Sequence, residues 1–217
     1  MMPFEFRAAE KGGLNILCLG AHSDDIEIGC GATLLKLIAA GMVRSIQWVV
    51  FTSGGTRRTE AQNSADAYLA DLNQKEIILL DYKDAFLPFS ALDIKAFFNE
   101  KLKPFQPDLV LTHYRDDRHQ DHRLISDLSW NTFRDHCILE YEIPKYDGDL
   151  GIPNCFCKVD EDIAQKKVNL LMTHFATQAG KHWFDPETFL GLMRLRGLES
   201  GGNSRYAEAF YARKMVF

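Results

Sequence analysis

The chain has 217 residues, 46% of them hydrophobic and 25% charged, with a net charge of −5. That length suffices for one sizeable core, and the composition excludes an intrinsically disordered chain. The acidic balance and the lack of a basic run exclude a surface for nucleic acid or anionic membrane, and no apolar run reaches the roughly 20 residues that span a bilayer.

Glu5, Arg7, Glu10 and Lys11 charge the N-terminus, which shows no apolar stretch of signal-peptide type. Cysteines stand at 18, 30, 137, 155 and 157, an odd number, and Cys155-Phe156-Cys157 alternates like a strand instead of a zinc knuckle. A reduced, cytoplasmic protein is the expectation.

The apolar run Leu14–Gly20 predicts a first, buried strand. It leads into His22-Ser23-Asp24-Asp25, one imidazole and two adjacent carboxylates, and then Gly29 and Gly31, read as a loop that turns tightly before a helix. Ala32–Ala40 predicts that helix, closed by Gly41. Ser45–Thr52 predicts a second strand, ended by Gly54-Gly55; Thr59–Leu72 predicts a helix and Glu76–Leu80 a third strand. Ser90-Ala91-Leu92-Asp93 has the spacing of a capping box before a helix at Ile94–Leu102. Leu109–Thr112 predicts a fourth strand, which leads into His113-Tyr-Arg-Asp-Asp-Arg-His119-Gln-Asp121-His122. Beyond it the pattern gives a helix at Arg123–Phe133, strands at Ile138–Ile143 and Cys155–Val159, and a helix at Asp160–Gln178 with an acidic first turn. A helix near Pro186–Leu195 and a strand near Ala209–Val216 follow. Alternating strands and helices argue for an α/β, Rossmann-like fold: one domain over residues 1–217, with a mostly parallel sheet and helices on both faces.

In an open parallel sheet ligands gather at the carboxyl ends of the strands. An isolated Asp-Asp after a strand is usually a solvated turn or a cap, and an isolated His-x-x-His recurs by chance. Here two such clusters follow two strands that a doubly wound sheet makes neighbours. Their imidazoles and carboxylates suit a borderline divalent ion, zinc first and ferrous iron as the alternative.

"AHSDDIEIGCGAT" and "RHQDHR", with a weaker third match in "RGLESGGNSRYAEAFYARK", resemble the PIG-L/LmbE-like zinc N-deacetylases across the chain. The family includes deacetylases of N-acetylglucosaminyl compounds in mycothiol and bacillithiol synthesis. Its motifs are usually Ala-His-Pro-Asp-Asp and His-Pro-Asp-His; Ser23 and Gln120 replace the two prolines here, which alters loop stiffness without removing a reactive group. The resemblance implies removal of acetyl from an N-acetylated amino sugar or its conjugate. It implies that His22, Asp25 and His122 hold zinc, that Asp24 is the general base, and that a protonated His119 stabilises the oxyanion. Asp121 then orients His119 or another histidine.

Arg57 stands where the resemblance expects a substrate-binding arginine; in the other reading Arg58 fills that role and Arg57 pairs with Glu60. Tyr206 is read either as a hydrogen-bond donor to the oxyanion or as a tyrosine packed at a strand start. Glu27 is read as binding sugar hydroxyls or as favouring the helix N-terminus. The expected partner is a small amino-sugar substrate, with assembly into a homo-oligomer and neither nucleic acid nor membrane. Two other classes compete: a metal-dependent phosphoesterase, disfavoured because only one full ligand set is evident, and a non-catalytic Rossmann-like binding domain.

Overall fold

The computed structural model describes residues 5–6 and 12–215. Its centre is β1 (Leu14–His22), an apolar run with almost every residue buried, as befits a strand covered on both faces. Side chains alternate along it: Ile16 and Cys18 enter one core, Leu17, Leu19 and Ala21 the other. The sheet adds β2 (Val43–Thr52), β3 (Gln74–Leu79), β4 (Leu109–His113), β5 (Cys137–Tyr141), β6 (Cys155–Val159) and β7 (Tyr206–Ala212). Their spatial order is β3-β2-β1-β4-β5-β7-β6. The first five strands are parallel, and β7 runs antiparallel to both β5 and β6.

Helices cover both faces, as the pattern predicts. One core takes side chains from α1 (Asp25–Ala39), α2 (Thr56–Tyr68), α5 (Glu161–His174) and α6 (Pro186–Glu199). The other takes Ile94 of α3 (Ala91–Phe97) and Ile125 of α4 (Gln120–Thr132). From β1 the chain winds outward through β2 and β3, then returns to place β4 on the other side of β1. The carboxyl ends of β1 and β4 therefore flank the switch point, where helices diverge and leave a crevice. Among the described residues no helix is long and apolar enough to cross a membrane.

Most predicted elements appear with shifted ends, and two differ in kind. Helix α1 begins seven residues before the predicted Ala32, so Gly29 and Gly31 lie inside a helix instead of a turn. Close packing explains both: a Cβ on Gly29 would meet the Tyr141 ring at 2.1 Å, and one on Gly31 the Tyr68 ring at 2.8 Å. Ser90 makes no side-chain cap; a 3-10 turn at Leu87–Ser90 runs directly into α3, which ends in a wide π-turn at Phe98–Leu102. Pro104, which lacks an N–H, follows that turn. The predicted last strand starts earlier, at Tyr206, and ends at Ala212. Its predicted end at Val216, like Arg7, Glu10 and Lys11, lies outside the described residues.

Candidate active site

Strand β1 delivers His22 at its last position, and α1 starts three residues later with Asp25. The His22 N–H donates to Asp25 Oδ2 at 2.6 Å, locking the turn between strand and helix. Helix α4 begins one neighbouring strand away and carries His122 inward on its first turn. Three atoms then converge. His22 Nδ1 lies 3.1 Å from His122 Nε2 and 3.3 Å from Asp25 Oδ2, and His122 Nε2 lies 3.5 Å from that same oxygen. All three residues are buried.

Carboxylates behind the rings fix which nitrogens face inward. His122 Nδ1 lies 2.9 Å from Asp117 Oδ2, which also accepts from Lys145 Nζ at 2.7 Å. Burial opposes ionisation of Asp117, but His122 and Lys145 outweigh it and hold the carboxyl well below its usual range. The proton of His122 therefore sits on Nδ1, and Nε2 presents a lone pair. Burial, followed by the neighbouring His113, pushes the His122 pKa down to about 3, so the ring is neutral and ready to ligate. The Nε2 of His22 faces Asp84 Oδ1 at 3.1 Å and Asp121 Oδ2 at 3.4 Å, which leaves Nδ1 for the interior.

Burial lowers the His22 pKa, but Asp25, Asp121 and Asp84 outweigh it and hold it well above its usual value, so the site attracts positive charge. Two ring nitrogens and a carboxylate meet there in a buried space that suits a cation. Tetrahedral zinc, with ligands at about 2.0–2.2 Å, places its corners about 3.3–3.6 Å apart. Two of the observed separations, 3.3 and 3.5 Å, fall in that range, and the third, 3.1 Å between His22 and His122, lies just below it. For Asp25, burial raises the pKa, yet His122, His22 and His113 together hold the carboxyl well below its usual range.

Asp24, next to the trio, is also buried. Its Oδ1 accepts from an Arg57 terminal nitrogen at 3.0 Å, while Oδ2 has no partner. Burial raises the Asp24 pKa against the pull of Arg57. One oxygen is held and the other is free, as a proton acceptor requires. Beside Asp24 opens a cleft of about 380 Å³ lined by Thr52, Gly54, Arg57, Asp81, Tyr82, Lys83 and Asp84.

His119 caps α4, its Nδ1 accepting the Asp121 N–H at 3.3 Å. That bond leaves its proton on Nε2, and burial, with the charge of His22 after it, lowers the ring's pKa. That direction runs against the imidazolium the resemblance implies, while the bond to Asp121 keeps Nε2–H as a donor. Of the two alternatives for Asp121, the geometry matches the other histidine: its carboxylate faces His22, not the His119 ring, and accepts from the N–H groups of Ala85 at 2.8 Å and Leu87 at 3.1 Å.

Arg57 reaches the site but is bonded to Asp24, with Asp84 at 3.6 Å and not Glu60 as its other acidic neighbour. Glu60 is taken by Thr177, and Arg58 by the Leu79 carbonyl. Glu27 is fully buried in the first turn of α1, and burial pushes its carboxyl well above the usual range; it cannot reach a sugar in the cleft. Tyr206 belongs to the apolar core, paired with Val159 across the sheet and with the Arg205 guanidinium 5.5 Å from its ring centre. The packing alternative holds for it, because β7 carries its ring into the core covered by α6.

Residue-by-residue reading missed Asp117 and Asp84. Asp117 had a signal, a carboxylate five positions before His122 in the same cluster. Asp84 had none, since it reaches His22 from the loop after β3. His113, also in the cluster, is fully buried and stacks on His122 at 4.0 Å. Its Nε2 lies 3.2 Å from Asp25 but accepts the Ala21 N–H at 2.9 Å, so it braces the site instead of offering a free lone pair.

A family profile described as "PIG-L: GlcNAc-PI de-N-acetylase" matches residues 17–133. The chain is 31% identical over 172 residues to the "Uncharacterized deacetylase YaiS" of Escherichia coli K12, covering 73% of this chain and 89% of that one. Its fold is similar to that of the N,N'-diacetylchitobiose deacetylase from Pyrococcus horikoshii, with a TM-score of 0.75 at 22% identity, over 97% of this chain and 87% of the other. It is also similar to GalB, the 4-carboxy-2-hydroxymuconate hydratase of Pseudomonas putida KT2440, with a TM-score of 0.71 at 16% identity over 94% and 97%. At such identities the structures establish the fold alone.

Proposed function

This chain belongs to the PIG-L family, and from that premise we propose a zinc-dependent hydrolase that removes acetyl from an N-acetylated amino sugar or its conjugate. The observation that carries the reading is the convergence of His22 Nδ1, Asp25 Oδ2 and His122 Nε2 beside the free oxygen of Asp24. Those three atoms would hold the ion. When bound, it supplies Lewis acidity that lowers the pKa of a water from 15.7 toward about 7 and polarises the acetamide oxygen.

The protein's own groups do the rest. Asp24 Oδ2 takes the proton of the attacking water, with Oδ1 held by Arg57 so that the free oxygen keeps its aim. The His119 Nε2–H donates to the oxygen that gains charge as the carbonyl becomes tetrahedral; losing one such donor typically costs about 10²–10³ in kcat. Asp24 then returns its proton to the departing amine. The cleft beside Asp24 and Arg57 accommodates the sugar ring, with Asp84 available to its hydroxyls.

The finer assignments within this reading are zinc in preference to ferrous iron, a cytoplasmic location and assembly of copies. The five free cysteines support the location. A two-metal phosphoesterase is disfavoured because, among the described residues, every further trio that could hold a metal contains His22 or His122. The decisive assay is acetate release over N-acetylglucosamine, its glycosides and its nucleotide conjugates with zinc present, alongside phosphate release from phosphoesters. Acetate release supports the proposal; phosphate release without acetate release ends it.

A further inference from the structure

Helix α1 carries an unusual join one turn beyond Asp25. In an unbroken helix the Ala32 N–H donates to the Ile28 carbonyl. Here Glu208 Oε1 accepts the Ala32 N–H at 2.9 Å, and its Oε2 accepts the Thr33 N–H at 2.7 Å. Lys167 Nζ donates to the Ile28 carbonyl at 2.6 Å and to Glu208 Oε1 at 2.6 Å. An ion pair therefore bridges the two ends of a single rung. The carboxylate meets amide groups that behave as a helix start, and the ammonium meets a carbonyl that behaves as a helix end. Both charges suit the backbone dipole at the groups they meet, in the middle of a helix that runs from Asp25 to Ala39.

Both residues are buried, and both come from far along the chain: Lys167 from α5 and Glu208 from β7. The middle of α1 is gripped on its other sides as well. The Tyr141 ring occupies the space that Gly29 leaves and the Tyr68 ring that of Gly31, with the Tyr68 hydroxyl donating to the Lys167 carbonyl at 3.0 Å. Tyr141 in turn donates to the Leu19 carbonyl at 2.6 Å, which ties this grip to the strand that ends in His22.

We propose that the Lys167–Glu208 pair is a positioning device for the metal centre: by gripping α1 at Ile28, Ala32 and Thr33 it sets the orientation of the first turn, and so the aim of Asp25 at the trio. The proposal rests on the reading of His22, Asp25 and His122 as ligands. Neither Lys167 nor Glu208 touches the ion or the substrate.

The test measures zinc affinity by competition with a chromogenic chelator, using Glu208→Gln and Lys167→Met, which preserve size and remove charge. Each is expected to weaken zinc binding 10–100-fold, as loss of an orienting partner does elsewhere, and the double variant is expected to lose no more than the worse single. Asp185→Ala is the control. It removes the cap of α6, whose side-chain bonds run to Thr188 in α6 itself, and is expected to lower Tm while zinc affinity stays within twofold of the unaltered protein. Folded pair variants that bind zinc as tightly as the unaltered protein overturn the proposal, as does an equal loss of affinity in Asp185→Ala.

Should the pair variants not fold, hydrogen exchange on the unaltered protein decides. Added zinc is expected to slow exchange around Lys167 in α5 and Glu208 in β7 but not in α3, and no slowing at either segment overturns the proposal. If the unaltered protein binds no zinc, or His22→Ala binds it equally well, the ligand reading falls and this inference with it.

Discussion

His122 is held from behind by Asp117, with Nδ1 2.9 Å from the carboxylate, and this bond turns Nε2 toward His22 and Asp25. Asp117→Asn keeps the shape but weakens the acceptor and frees the tautomer. Zinc affinity is expected to fall 10–100-fold, as measured by chelator competition on folded protein. Unchanged affinity would show that the ring is oriented by packing against His113 alone.

Asp24→Asn removes the proton acceptor and leaves the trio intact. Zinc content by elemental analysis is expected to equal that of the unaltered protein, while acetate release falls by about 10²–10⁴. Undiminished turnover would remove Asp24 from its role.

His22→Ala and His122→Ala each delete one of three converging lone pairs. Both are expected to be isolated with little zinc and no measurable deacetylation. Dialysis of the unaltered protein against a strong chelator is expected to abolish activity reversibly, with zinc restoring it. Full zinc retention in either variant would break the ligand assignment.

Ala85 adopts φ of +65°, a left-handed conformation that costs a non-glycine residue about 1–2 kcal/mol. Its N–H is held there by Asp121, a hydrogen bond that fixes the loop beside the cleft. Ala85→Gly relieves the strain but adds chain entropy of about 0.5–1 kcal/mol. The net expectation is a small stabilisation, about 0.5–1 kcal/mol, read from urea unfolding. A destabilised variant would show that the methyl group contributes packing that the backbone geometry does not reveal.

Asp185 caps α6, accepting the Thr188 N–H and hydroxyl, both at 2.9 Å. These bonds, the backbone one first, lower its pKa below the ordinary value. Stability from the charged cap is therefore complete above the unfolded pKa, near 3.9, and disappears as pH falls through the lower folded value. Asp185→Ala is expected to lose about 0.5–2 kcal/mol at pH 7. In Asp185→Asn, which keeps a neutral cap, the acid-dependent part should be absent, so its stability difference from the unaltered protein shrinks between pH 5 and the acid limit. A constant difference would sink this account.

The local residue pattern carries much of this protein on its own. The run Leu14–Gly20 is apolar throughout, and such a run can only be a strand covered on both faces. The alternation of strands and helices then dictates a parallel sheet whose carboxyl ends gather the polar clusters. His22, Asp24 and Asp25 stand together for the same reason, each within a few residues of the end of β1, whereas His122 comes nine residues after β4 ends at His113, on the first turn of the next helix.

Tertiary structure decided what depends on partners distant in sequence. Glu27 and Tyr206 look like site residues by position, but helix α1 turns the first into the interior and strand β7 carries the second into the core. Gly29 and Gly31 look like loop residues until the Tyr141 and Tyr68 rings fill the space beside them. Asp84 approaches His22 from 62 positions away, and Glu208 reaches α1 across 176. Local pattern constrains φ, ψ and facing within an element. The pairing of a buried charge is instead set by which elements the folded sheet brings together, and no window of neighbouring residues contains that choice.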